Sequence, residues 1–319
     1  MPFESMSLPL NDLLPPIAIY DPTFGLSLCH TKLMPMKIIR AAALGMCFGV
    51  RDALALARAE GSNRPLTILG QLAHNPAILA DLERSGIQME SDLARVQTTA
   101  VMITAHGASN RRITQLRQLG HHVIEATCPL VHVAHRALAL LAEAGHHPLV
   151  IGQRGHVEVI GLTEDYSQCD IILSESDIDQ LSPRPSWGVV AQTTQPARRV
   201  RALVQYLQQR FPSASIHFRD TVCQPTKLRQ EAADSLASQC SIVIVVGGRQ
   251  SNNTRELAET IRKSCPKVYQ IEGPDQLLEH WFSPLDTVGL TAGTSTPDEL
   301  VLAVEGRLTV IGNRLLAPA

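Results

Sequence analysis

Three cysteines occupy one position of a pattern that the chain runs through three times, and this repetition limits the fold more than any other feature. Cys47, Cys128 and Cys223 each open a stretch with helical spacing, and 27 or 28 residues later each copy ends a short apolar run in a polar loop. Those loops carry His74, His156 and Ser251. A second apolar run in each copy ends at His106, Thr193 and Ser295, which lie 59, 65 and 72 residues past their cysteines. Three such copies predict three pseudo-equivalent modules that share one site.

The runs at 66–69, 101–104, 149–151, 187–191, 242–246 and 288–291 read as short buried strands. Val50, Leu54, Leu56 and Ala57 give a helical stripe after Cys47, and Val131, Ala134, Leu138 and Leu141 repeat it after Cys128. Pro129 suits the first turn of a helix, where a missing N–H costs nothing. Alternating strands and helices of these lengths predict an α/β fold with small, mainly parallel sheets and right-handed crossovers. Aromatic residues are only 4% of the chain, so the cores must be Leu, Val, Ile and Ala, which suits helices on parallel strands. The modules are expected at 36–127, 128–220 and 221–319, the last with a short C-terminal tail. Residues 1–35 hold six prolines, no clear period and one basic side chain, Lys32. They read as a disordered extension or as the product of an upstream start codon, not as a secretion signal or transit peptide.

A formal charge of −2 speaks against a general nucleic-acid binder. No apolar run approaches the 18 or so residues of a membrane helix. Seven cysteines, an odd number at irregular spacing, suggest a reducing compartment, the cytoplasm, with thiols used for chemistry or packing.

The chemistry concentrates where ligands gather in parallel sheets, at the carboxyl ends of the strands. A cysteine at a helix N-terminus is expected to have a lowered pKa and to present a thiolate, the form that binds metals. Cys29, Cys169, Cys240 and Cys265 have no comparable neighbourhood. Three sulfurs without an obvious fourth suit an iron–sulfur cluster with one open iron, while zinc with a water in its fourth place stays open. The loop 247–254 places Ser251 and Asn253 at a helix start, where N–H groups cradle anions, and Ser295 repeats the arrangement. His74 and His106, if protonated, would favour a diphosphate. Glu158 is the only acid of its strand-end loop and is expected to carry a proton, with Thr193 holding a substrate hydroxyl or water beside it.

The residues Gly45-Met46-Cys47-Phe48-Gly49-Val50, Ala105-His106-Gly107, Ala126-Thr127-Cys128-Pro129-Leu130, Gly155-His156-Val157-Glu158, Gln192-Thr193-Thr194, Ser251-Asn252-Asn253 and 291–297 occur in order along the chain. Together they resemble the 4-hydroxy-3-methylbut-2-enyl diphosphate reductase family, the last enzymes of the methylerythritol phosphate route to isoprenoids. The resemblance implies a cloverleaf of three α/β domains around one four-iron four-sulfur cluster held by Cys47, Cys128 and Cys223. It implies that His74, His106, Ser251, Asn252, Asn253 and Ser295 hold the diphosphate, and that His156, Glu158 and Thr193 serve the substrate hydroxyl and its protonation. The implied reaction is reductive dehydroxylation to isopentenyl or dimethylallyl diphosphate, with electrons from a ferredoxin or flavodoxin. Val157 stands where the family commonly has proline, Lys227-Leu228 where it has Thr-Asn, and Glu256 where a basic residue often follows the Ser-Asn loop. The tail after Arg307 is short.

Three other readings compete. A diverged paralogue could reduce another allylic compound, but the whole diphosphate set is retained. A diphosphate-binding or iron-sensing regulator would need no proton carrier, so His156, Glu158 and Thr193 disfavour it. A zinc hydrolase is separated from both by its metal.

Overall fold

The computed structural model describes residues 36–316 apart from His74. The first strand, β1 (Lys37–Arg40), is where the sequence reading begins the folded chain, and α1 (Phe48–Asn63) follows it directly. Next come β2 (Leu66–Leu69), α2 (Pro76–Arg84), β3 (Gln88–Glu90), β4 (Ala100–Ile103), α3 (Asn110–Gln118) and β5 (His122–Glu125). The second copy runs α4 (Pro129–Glu143), β6 (His147–Ile151), α5 (Val157–Thr163), β7 (Asp170–Ile172), α6 (Glu175–Asp179), β8 (Ser186–Ala191), α7 (Ala197–Arg210) and β9 (Ser215–Phe218). The third has α8 (Gln224–Ala237), β10 (Ile242–Val246), α9 (Asn252–Arg262), β11 (Val268–Ile271), β12 (Thr287–Ala292) and α10 (Asp298–Leu316). The expectation of a disordered 1–35 and the reading of His74 lie outside the described residues.

These strands form three four-stranded sheets, β3-β2-β4-β5, β7-β6-β8-β9 and β11-β10-β12-β1, and every pairing is parallel. The order within each sheet is the same. Two central strands lie side by side, and the chain leaves one toward the left edge and the other toward the right. The third sheet completes this pattern by taking its last strand from the other end of the chain, with Lys37 opposite Thr287 and Arg40 opposite Leu290.

Central strands such as β2, β4 and β10 are buried along their whole length, as a sheet covered on both faces requires. Their side chains meet helix stripes of Ala, Val, Leu and Ile. Ala53, Leu54 and Ala57 of α1 pack on Leu66, Ile68 and Met102, and Leu138 and Leu141 of α4 pack on Val150 and Val190. Neighbouring modules are tied by polar contacts. Ser109 donates to Glu164 at 2.7 Å, Arg199 pairs with Glu256 at 2.7 Å, and Arg229 donates to the Gly45 carbonyl at 2.7 Å. No described helix is long and apolar enough to cross a membrane.

Candidate active site

Each of the three repeated cysteines stands at a crossing from one module into the next. Cys47, Cys128 and Cys223 are the N-caps of α1, α4 and α8, and none uses its sulfur to cap the helix. Their backbone N–H groups make one repeated bond across the crossing. Cys47 donates to Thr294 (3.0 Å), Cys128 to Ala105 (3.0 Å) and Cys223 to Thr193 (2.9 Å), in each case a carbonyl just beyond the last central strand of the preceding sheet. This bond turns each sulfur toward the same place. Cys47, Cys128, Cys223, His106, Glu158 and Thr193 line one cavity.

The sheet order explains why. Where two adjacent central strands send the chain in opposite directions, the loops at their carboxyl ends part and leave a crevice. His106 follows β4, His156 follows β6, Thr193 follows β8, Ser251 follows β10 and Ser295 follows β12. All five therefore come from crevice loops.

Helix α1 can approach Cys128 because its second residue is Gly49. A Cβ there would lie 2.6 Å from the Cys128 sulfur, closer than any side chain tolerates. Cys169, Cys240 and Cys265 are free thiols away from this cavity. The sequence expectation of acidic thiols fails for two of the three cavity cysteines. Burial pushes the Cys128 and Cys223 thiols up, and the hydrogen bonds at the helix starts offset this only in part.

Sequence reading assigned no role to Arg229, which sits on α8 and is buried. Its guanidinium donates twice to the Gly45 carbonyl, at 2.7 and 3.3 Å, bracing the turn before Cys47. Burial lowers its pKa, and the thiols of Cys47 and Cys223 raise it. Its only sequence signal is a lone arginine six residues past Cys223, on a face otherwise occupied by Ala and Leu.

Glu158 is fully buried on the first turn of α5. Thr193 donates to it through its backbone N–H, at 2.6 Å from Oε1, and through its hydroxyl, at 3.0 Å from Oε2. Burial pushes the carboxyl up to about 7 despite both of these bonds, which favour the charged form. His156 caps α5 by accepting the Glu158 N–H at Nδ1, 3.1 Å. A backbone N–H can only donate, so this contact uses Nδ1 as the acceptor. Val157 takes the first helical position without disturbing this cap.

A second pocket adjoins the first through His106. His106, His156, Ser251, Asn252, Asn253 and Ser295 line it. The His106 and His156 rings meet edge to face at 5.4 Å. Ser251 caps α9 by accepting from Thr254 at 3.3 Å, and Asn253 fixes the opposite loop by accepting from the Thr294 N–H at 3.0 Å. The amide nitrogen of Asn252 and the hydroxyl of Ser295 are buried with no partner among the described residues. At the other sequence departures, Lys227 pairs with Asp220 at 2.8 Å, Leu228 is exposed, and Glu256 is buried against Arg199. The chain after Arg307 completes the 19-residue helix α10.

The family model described as LytB protein matches residues 38–309. The 4-hydroxy-3-methylbut-2-enyl diphosphate reductase of Trichlorobacter lovleyi is 35% identical over 280 residues, covering 87% of this chain and 99% of its own. The enzyme of that name from Aquifex aeolicus is 32% identical, covering 86% and 97%. A solved structure titled as the terminal enzyme of the non-mevalonate pathway, (E)-4-hydroxy-3-methyl-but-2-enyl diphosphate reductase, superposes with a TM-score of 0.63 at 32% identity. It covers 86% of this chain and 99% of its own. The reductase from Plasmodium falciparum shares the fold, with a TM-score of 0.79 at 24% identity over 85% of this chain and 87% of its own. With the family model spanning three sheets and six crevice loops, the chain belongs to the LytB family.

Proposed function

We propose that this protein is a 4-hydroxy-3-methylbut-2-enyl diphosphate reductase that holds a four-iron four-sulfur cluster on Cys47, Cys128 and Cys223. The observation that carries this reading is the arrangement of one cavity. Thiols from three helix starts line it together with a buried carboxyl whose pKa is about 7. The donor set fits the cluster, since three free sulfurs offer three iron attachments and leave a fourth position open. Zinc on the same three sulfurs is the competing metal, and the metal analysis below separates the two. When bound, the cluster supplies single electrons at low potential and a Lewis-acidic iron, which no side chain here can provide.

The protein's own residues bind, orient and protonate. The diphosphate is assigned to the pocket of His106, Ser251, Asn252, Asn253 and Ser295, at the N-terminus of the 11-residue helix α9. The unpartnered groups of Asn252 and Ser295 support this, because buried donors need an acceptor and phosphoryl oxygens supply one. His74, from the loop after β2, belongs to this set by resemblance. The hydroxyl end of the substrate then reaches toward the thiols, where Thr193 fixes the Glu158 carboxyl, with His156 at the start of the same helix. In the reaction one C–O bond breaks and one C–H bond forms, two electrons and two protons enter, and water leaves. Glu158, half protonated near neutral pH, is suited to give the departing hydroxyl its proton.

A ferredoxin or flavodoxin is the proposed electron source. The free thiols suit a reducing cytoplasm. The test is anaerobic purification with iron and sulfide analysis, then turnover of the hydroxylated C5 diphosphate with a chemical one-electron donor. An iron–sulfur protein that yields isopentenyl and dimethylallyl diphosphates is expected. A colourless, zinc-loaded protein, or an iron–sulfur protein inert toward this substrate, overturns the reading.

A further inference from the structure

Arg255 follows the anion loop by two residues and is exposed, so it reads at first as a solvated helix charge. Its natural partner on α9 is Glu259, four residues on. Glu259 lies instead beside Arg199 at 4.0 Å. Arg255 turns the other way, and one nitrogen donates both to Asn252 Oδ1 at 2.9 Å and to Gln153 Oε1 at 3.1 Å.

The chemistry of these two bonds fixes an orientation. A guanidinium has five donors and no acceptor, so an amide that meets it must present its oxygen. Asn252 therefore points its Nδ2 away from Arg255, into the pocket, where that nitrogen is buried without a partner among the described residues. Without Arg255 the amide could turn over and present its oxygen to the anion, a repulsive contact. The bond to Gln153, on the loop that leads to His156 and Glu158, holds the guanidinium in this orientation. The Gln153 backbone N–H is itself held by Gln192 Oε1 at 3.0 Å, next to Thr193. The Arg199–Glu256 pair holds α9 to the second module independently, so the helix keeps its place when Arg255 is removed.

We propose that Arg255 is a positioning residue that sets the Asn252 amide nitrogen toward the substrate diphosphate. This rests on the diphosphate reading of the pocket above, and the test separates the two. Binding of inorganic diphosphate to the cluster-loaded protein is measured by calorimetry, beside steady-state kinetics with the hydroxylated C5 diphosphate. Wild-type protein that binds no diphosphate sinks the pocket assignment itself. With wild-type binding in hand, Arg255→Ala is expected to weaken diphosphate binding and raise KM about tenfold, the scale of one charge-assisted hydrogen bond, while kcat changes by less than about threefold. Asn252→Ala should weaken binding similarly, and the double variant should be no worse than Asn252→Ala alone, because the arginine acts through the asparagine. Wild-type affinity in Arg255→Ala, or losses that add in the double variant, overturn the proposal.

Discussion

Thr193 grips both oxygens of Glu158, with its N–H 2.6 Å from one and its hydroxyl 3.0 Å from the other. Both contacts favour the charged carboxylate, yet burial outweighs them and holds the proton on Glu158 up to about pH 7. Replacing Glu158 by Gln preserves shape and removes the transferable proton. Turnover should fall at least ~100-fold, with iron content and diphosphate affinity unchanged. Rates close to wild type in steady-state assays would remove the proton-donor role.

The same carboxyl predicts a pH dependence of folding in the cluster-free protein. Its folded pKa of about 7 lies above the ordinary 4.5, so the folded state holds the proton more tightly than the unfolded state. Its contribution is therefore fully present below pH 4.5 and is lost as pH rises to about 7, at a total of about 3 kcal/mol. Glu158→Gln carries no such loss. In urea titrations the variant should gain on wild type as pH rises from 4.5 to 7, and a pH-independent difference would contradict the assignment.

Cys128→Ser should abolish stable cluster incorporation, whereas Cys240→Ser, outside the cavity, should leave iron content intact. Gly49→Ala should act like a milder Cys128 variant, since its new Cβ would intrude 2.6 Å from the sulfur. Iron and sulfide per chain, with the visible absorption of the anaerobic protein, provide the measure. Full loading of Gly49→Ala would show that the sulfur has room to retreat.

Arg229→Ala removes two hydrogen bonds to the Gly45 carbonyl and leaves that acceptor without them. A loss of about 2 kcal/mol is expected in denaturant titrations, the scale for a buried bond to a charged donor. Arg229→Lys should recover only part of it, because an ammonium is a point donor without the planar fork.

The helix starts at Cys47, Cys128 and Cys223, the buried central strands and the six loops were legible because each is a local pattern. A proline at position 129 and unbroken apolar runs need no knowledge of the rest of the chain. The outer strands β3, β5, β7 and β9 were not legible. Half facing solvent, they mix polar with apolar residues, as in Gln88-Met89-Glu90 and Ser215-Ile216-His217-Phe218, and their alternation is too short to stand out from loop sequence. The thiol pKa direction was misjudged because the helix start is visible in sequence and the surrounding burial is not. Gly49 and Arg229 matter through residues on other modules, so neighbours along the chain give no hint of them.

The pairing of β1 with β12 has a consequence for how the protein is made. Lys37 and Thr287 are joined edge to edge although some 250 positions separate them. On the ribosome, the first strand to emerge must wait, unzipped, until nearly all of the polypeptide has been synthesised. Cys47, a few residues behind it, waits too, and its backbone reaches Thr294 only when that late segment arrives. A cluster held as proposed would thereby be completed only at the end of translation, when the last sheet shuts and the Cys47 sulfur is brought to its fellows.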